Sequence, residues 1–167
     1  MKHLLFSLCA TAALALGSSA LAQAPAVTTT LQAHKVELVD GKTVRKPADA
    51  GRPGDVVEYT GTYRNGGNSA VSRLLATIPV PAGTTLVASS ANPGTAQAST
   101  DGTRFAPIPL MRTVRTPDGA TREVPVPLEE YRFVRWEIGT LAAGREAAVS
   151  LRVRIDSATP PVAAARP

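Results

Sequence analysis

The sequence predicts an all-β fold: a single antiparallel β-sandwich. Apolar and polar residues alternate over short runs, most clearly in Val56 to Arg64 and Ala147 to Ile155. Clusters of Gly, Pro, Asn and Asp separate these runs at close intervals. No stretch after the apolar N-terminal segment carries a helical period. Many short strands with frequent turns and no intervening helices describe a sandwich or barrel. Two antiparallel sheets facing each other would bury the apolar faces.

The N-terminal segment reads as an export signal. Lys2 and His3 give a basic start, Leu4 to Leu16 form an apolar run, and Ala20-Leu21-Ala22 supply small residues at its end. That order is the signature of a secretory signal peptide over residues 1–22, cleaved after Ala22. Cleavage after Ala24 would leave Pro25 first, which is less favourable. The apolar run is shorter than the roughly 20 residues that a membrane helix needs, so the mature chain is expected to carry no transmembrane segment. Cys9 lies deep in the apolar run and is discarded with it. Since it is the single cysteine of the 167 residues, the mature chain would have no disulfide and would rely on core burial and backbone hydrogen bonding.

Gln23 to Leu31, rich in Ala, Pro and Thr, reads as a leader without fixed structure. The sandwich is expected over residues 32–157. Its first strand runs from Gln32 to Val39, and Pro47 to Gly54 form a loop. In the strand from Val56 to Arg64, Val57, Tyr59, Gly61 and Tyr63 share one face, with Val56, Glu58, Thr60, Thr62 and Arg64 on the other. Asn65-Gly66-Gly67-Asn68 predicts a turn through residues that tolerate positive φ. Val71 to Ile78 is the next strand, closed by Pro79 to Gly83. Thr84 to Ala88 and Thr95 to Thr100 are short β runs ahead of a turn at Asp101-Gly102.

Residues 105–130 form an excursion. Pro107, Pro109, Pro125 and Pro127 flank two runs, Met111 to Thr116 and Arg122 to Val126, with Pro117-Asp118-Gly119 between them as a hairpin turn. Such prolines suit edge strands, where a missing amide donor does no harm. Tyr131 to Ile138 follows as a strand with Arg132, Val134, Trp136 and Ile138 on one face. Gly139 to Gly144 turn the chain. In the last strand Ala147, Val149, Leu151, Val153 and Ile155 oppose Ser150, Arg152, Arg154 and Asp156. Residues 158–167, rich in Pro and Ala, read as a disordered tail.

These residues also resemble a known family. Pro53-Gly54-Asp55-Val56-Val57-Glu58-Tyr59-Thr60, then Asn65-Gly66-Gly67-Asn68, then Ile78-Pro79-Val80-Pro81-Ala82-Gly83-Thr84, resemble the conserved-repeat domain of bacterial and archaeal surface proteins, domain of unknown function eleven. Trp136-Glu137-Ile138-Gly139-Thr140-Leu141-Ala142-Ala143-Gly144, ahead of an alternating strand, is similar to that family's closing segment. The order and spacing match over roughly residues 36–156. The resemblance implies an immunoglobulin-like sandwich of envelope and secreted proteins, often in tandem, with no known active site. This chain departs from the pattern by holding one copy and by carrying the 105–130 excursion.

Candidate chemistry is sparse. His34 is the single histidine after export, and no Gly-x-Ser-x-Gly elbow accompanies it. One histidine without cysteine does not supply an ordinary zinc site. Glu129 and Glu130 are adjacent, so in a strand they would point to opposite faces. Asp49 and Asp55 share a loop without the alternating acidic pattern of a calcium site. Trp136, Tyr59 and Tyr63 could stack on a sugar, but their faces also carry Val134, Ile138 and Val57, which makes them core residues. Lys35 could enter a Lys–Asn cross-link, for which the last strand offers only Asp156. No catalytic, cofactor-binding or metal residue is therefore assigned.

The chain carries 18 basic and 13 acidic residues, net +5, and 14 of the basic residues are arginine. They are spread along the chain, with Arg132, Arg135, Arg152 and Arg154 interleaved with apolar residues at strand spacing, which describes a solvated sheet face. Nucleic-acid binding would call for a concentrated basic stripe. The expectation is a non-enzymatic structural or protein-interaction module of the bacterial cell envelope, periplasmic or secreted, whose partner is another envelope protein. The alternative is a periplasmic small-ligand or glycan-binding protein that uses the sandwich loops.

Overall fold

The computed structural model describes residues 26–157. The signal peptide, the start of the leader and the 158–167 tail lie outside the described residues. The chain forms β1 (Val27–Val39), β2 (Lys42–Pro47), β3 (Val56–Asn65) and β4 (Val71–Pro79). Short strands β5 (Thr84–Leu86), β6 (Gln97–Ser99) and β7 (Ala106–Pro107) follow. The hairpin strands β8 (Met111–Arg115) and β9 (Thr121–Pro125) precede a 3₁₀ turn, η1 (Leu128–Glu130). Long strands β10 (Phe133–Leu141) and β11 (Glu146–Ile155) complete the fold.

Two antiparallel sheets pack in a sandwich-like arrangement, so the chain is all-β. One sheet has the order β2-β1-β3-β11-β5 and the other β4-β10-β6-β7, while β8 and β9 form a sheet of their own. The alternating runs explain the packing. Val57 and Tyr63 of β3, with Val149, Leu151 and Val153 of β11, face Ala76, Ile78, Val134 and Trp136 of the second sheet, all buried. Gly61 lies on the same face, where a Cβ would sit 3.5 Å from the Ile78 side chain. The tighter neighbour of such a Cβ is the Tyr63 ring, at 3.3 Å. β1 and β11 flank β3, with Val27 opposite Asn65 and Arg154 opposite Val56.

Several expectations are corrected. Val27 to Leu31, expected in the leader, instead pair with β3 from Asn65 to Gly61. Threonine-rich chain suits a pleated strand, and the β3 ladder orders it, with Val27 packed against the edge of the core. β2 was not expected, since Lys42-Thr43-Val44-Arg45-Lys46 carries three cations. It forms because Asp40 and Gly41, at φ 51° and 73°, make a two-residue turn that sends the chain back along β1. The strand from Thr84 ends at Leu86 rather than Ala88.

Gly139 does not open a turn. β10 continues through it to Leu141, with Gly139 at φ 76° and register shifts against β4 on either side of it, the behaviour of a β-bulge. Nor do Gly66 and Gly67 adopt positive φ. The turn after β3 is held by the fully buried Asn65, which donates Nδ2 to the carbonyls of Ser69 (2.8 Å) and Leu141 (2.9 Å) and accepts the Gly67 amide (3.0 Å). Tyr131 precedes β10 instead of starting it, because Leu128 to Glu130 form the 3₁₀ turn. Glu129 and Glu130 therefore do not alternate across a strand. No helix among the described residues is long and apolar enough to cross a membrane.

Candidate interaction site

The excursion builds the most distinctive surface. β8 and β9 pair from Met111 opposite Pro125 to Arg115 opposite Thr121; β8 stops one residue short of Thr116, and β9 begins and ends one residue earlier than Arg122 to Val126. Their turn closes through the Thr116 amide on the Ala120 carbonyl and the Gly119 amide on the Thr116 carbonyl, both 2.9 Å. Gly119 takes φ 86° there. The Thr116 hydroxyl and nearby amides hold the Asp118 carboxyl below its ordinary range. Apart from the half-buried Val114 and Val124, both strands are exposed. Each strand of this two-stranded sheet leaves one edge of backbone groups without a ladder partner among the described residues.

The hairpin is hydrogen-bonded to buried residues at its feet. The Val126 amide donates to the Leu110 carbonyl (2.8 Å), and the Leu110 amide donates to the Tyr131 hydroxyl (2.7 Å). Leu110, Val126 and Tyr131 are all buried, so a buried tyrosine hydroxyl finds its partner in the hairpin backbone. Arg112 Nη1 bridges both carboxylate oxygens of Glu130, at 2.9 and 2.8 Å. This ion pair is exposed and adds little to stability, but it ties β8 to η1.

An apolar cleft of about 610 Å³ opens between the Val87–Ala91 segment and the hairpin feet. Buried Leu86, Val126 and Tyr131 line it with the half-buried Ile108 and Leu128, and no charged residue among the described residues does. The Ser90 hydroxyl is already committed, donating to the Val87 carbonyl (2.6 Å) and accepting the Arg152 amide (3.1 Å). A second depression of about 440 Å³ at the hairpin base is charged, bordered by Asp101, Arg104, Arg112 and Glu130. Asp101 accepts the Thr103 and Arg104 amides at 2.8 and 2.9 Å, and these bonds hold its carboxyl far below the usual range. Arg135 lies 3.9 Å over the Phe105 ring and donates to Gln97 (2.7 Å).

The residues singled out in the sequence do not converge. His34 sits in β1 with Glu58 and Pro47 opposite it in the ladders. Asp55 caps the Arg52 amide (2.9 Å) and pairs with Lys35 (3.0 Å). These contacts lower its carboxyl, the Arg52 amide most of all; Asp49 takes no part in them. Lys35 also meets Glu37 (3.3 Å), whereas Asp156 accepts the Thr85 hydroxyl (2.7 Å) and is not the partner of Lys35. Trp136 is only 2% exposed and donates Nε1 to the Pro93 carbonyl (2.8 Å), as a core residue does. Among the described residues, no three His, Cys, Asp or Glu side chains come together.

Two features had no clear signal in the sequence. Glu58, expected on a solvated face, is buried between Arg45 and Arg152. The cleft joins residues some forty positions apart in the chain, and only the proline-flanked excursion marks one of its walls. No family model, curated protein or solved structure matches the chain.

Proposed function

We propose that this domain is a non-catalytic protein-interaction module of the bacterial cell envelope, exported through residues 1–22, with the 105–130 excursion as its contact element. The observation that carries the reading is the β8–β9 hairpin. It is a sheet separate from the sandwich, anchored at buried feet and exposed along both strands. A free strand edge can add a strand of a partner through backbone hydrogen bonds. The principal carboxylates support a scaffold role, since Glu58, Asp55 and Asp101 are each engaged in ion pairs or loop hydrogen bonds. An immunoglobulin-like sandwich is in keeping with this reading.

The test is in-cell cross-linking of the tagged, exported chain, compared with a variant in which Gly-Gly replaces Arg112–Val124. One dominant envelope protein held by the wild type and lost from the variant is the expected result. Undiminished capture by the variant would remove the hairpin from the account.

The cleft favours a second reading, a periplasmic small-ligand or glycan-binding protein. Its volume falls in the range of small-molecule pockets, and its charge-free lining suits an uncharged, largely apolar ligand. Thermal-shift screening against apolar compounds and envelope sugars tests it, since a ligand of the native state raises the melting temperature. A flat response would count against it.

A further inference from the structure

Exposed sheet edges invite strand addition, and most edges here carry something that hinders it. β2 presents Lys42, Arg45 and Lys46 and ends on Pro47. β5 is three residues long with η1 packed beside it. β7 has two residues, one of them Pro107. β4 holds Arg73 at φ 56°. The exception among the described residues of the two main sheets is the first part of β1. Val27-Thr28-Thr29-Thr30-Leu31 is extended and uncharged, and every residue after the half-buried Val27 is exposed.

The hydrogen-bond phase of this segment follows from its neighbours. The Ala26 carbonyl accepts the Gly66 amide at 2.8 Å, so the even-numbered residues of β1 direct their amides and carbonyls toward β3. Alternation in an antiparallel ladder then sends those of Val27, Thr29 and Leu31 the other way. The same odd phase serves β2 further along, where Val39, Glu37 and Lys35 oppose Lys42, Val44 and Lys46. β2 ends at Pro47, opposite His34. Six backbone groups, on Val27, Thr29 and Leu31, therefore face outward with no ladder partner among the described residues.

We propose that this edge pairs with the same segment of a second copy, antiparallel about a two-fold axis at Thr29. The match of side chains carries the choice of occupant. In that register Val27 meets Leu31 twice, Thr28 meets Thr30 twice, and Thr29 meets itself. Apolar residues oppose apolar ones, hydroxyls oppose hydroxyls, and no charge faces another, as an isologous contact requires. Val27 already borders the core, and Leu31 is 51% exposed on the same side of the sheet. The partner's Leu31 would extend the apolar core outward over Val27. The six outward groups of each copy satisfy one another, joining two five-stranded sheets into one. Pro47 stays clear of the paired stretch, and Ala26 bends toward the Gly66–Gly67 turn.

This self-association goes beyond the hairpin reading and does not use the hairpin. The chain with Gly-Gly in place of Arg112–Val124 should still dimerise, so failure of either idea leaves the other standing. Sedimentation equilibrium of the exported chain, from micromolar to millimolar, should show the mass rising from one copy toward two. Thr29→Pro removes an outward amide that β3 does not use and should stay monomeric. Should that variant fold poorly, Leu31→Lys, at an exposed position, should weaken association on the order of tenfold by removing two cross-strand pairs. In a Cys9→Ser background, Thr29→Cys should oxidise to a disulfide-linked dimer, since a hydrogen-bonded pair holds Cα atoms about 5.5 Å apart. Thr121→Cys on the hairpin is the control. A wild type that stays monomeric at millimolar concentration overturns the proposal, as does Thr29→Cys oxidising no faster than Thr121→Cys. Capture of an unrelated strand at this edge by a monomeric wild type overturns it equally.

Discussion

The Tyr131 hydroxyl accepts the Leu110 amide at 2.7 Å, a bond between a fully buried ring and the backbone where the hairpin leaves the sandwich. Tyr131→Phe keeps the ring and removes the acceptor, leaving a buried amide unpaired. That should cost about 1–3 kcal/mol and speed hydrogen exchange at Leu110 and Val126. Urea denaturation with exchange measured at those two amides checks both effects.

Asn65 fills three hydrogen bonds while fully buried. Asn65→Ala should cost about 3 kcal/mol at about 1 kcal/mol per bond. Asn65→Asp should cost more at neutral pH, because a carboxylate cannot donate to the Ser69 and Leu141 carbonyls and its charge is buried. Its folded pKa would be raised, so its stability should recover as pH falls and be lost as pH rises. Melting temperatures of both variants between acid and neutral pH decide this.

Glu58 is buried between Arg45 and Arg152, the latter at 2.8 Å. Burial pushes its carboxyl upward, but the hydrogen bonds and charges of the two arginines outweigh that and hold it below the ordinary value of 4.5. A lowered folded pKa gives stability that is present above the unfolded value and lost as pH falls through the folded one. Glu58→Gln should therefore be less stable than wild type at pH 7 by about 1–3 kcal/mol. The gap should close in acid below pH 4.5. Parallel wild-type and variant denaturation curves across that range are the measurement.

Gly139 sits at φ 76° with nothing within 4 Å of where a Cβ would stand. Any cost of Gly139→Ala is then backbone strain alone, about 1–2 kcal/mol. Gly61→Ala works differently, since its Cβ would crowd the Tyr63 ring at 3.3 Å while meeting Ile78 at an ordinary 3.5 Å, without a φ penalty. Denaturation of both, with Tyr63→Leu added to each, separates the mechanisms: removing the ring should ease Gly61→Ala and leave Gly139→Ala unchanged.

The strands that bury a full face were legible in the sequence. Val57 to Tyr63 and Val149 to Val153 alternate because β3 and β11 lie inside the five-stranded sheet and one face of each meets the second sheet. β2 was not legible, because Lys42, Arg45 and Lys46 lie on an uncovered edge and have no core to be patterned against. Glu58 misled for the opposite reason. Its outward face is roofed by two arginine side chains, a neighbourhood that strand pairing creates and local sequence does not record. Of the candidate site, the proline-flanked hairpin could be read, with its turn at Pro117 to Gly119. The cleft could not, since it exists only once the Leu86–Ala91 segment and the hairpin feet at Pro109 and Val126 come together around Tyr131.

β1 and β11 lie on either side of β3 and run in the same direction, so Val27 and Ile155 leave the sheet at opposite ends. A pull applied through those two residues acts along the strands, across ladder bonds that stand perpendicular to them. The load is then shared by both ladders at once instead of opening them pair by pair. Pulled in that direction, β1 and β11 would have to slide past β3 together before either came free.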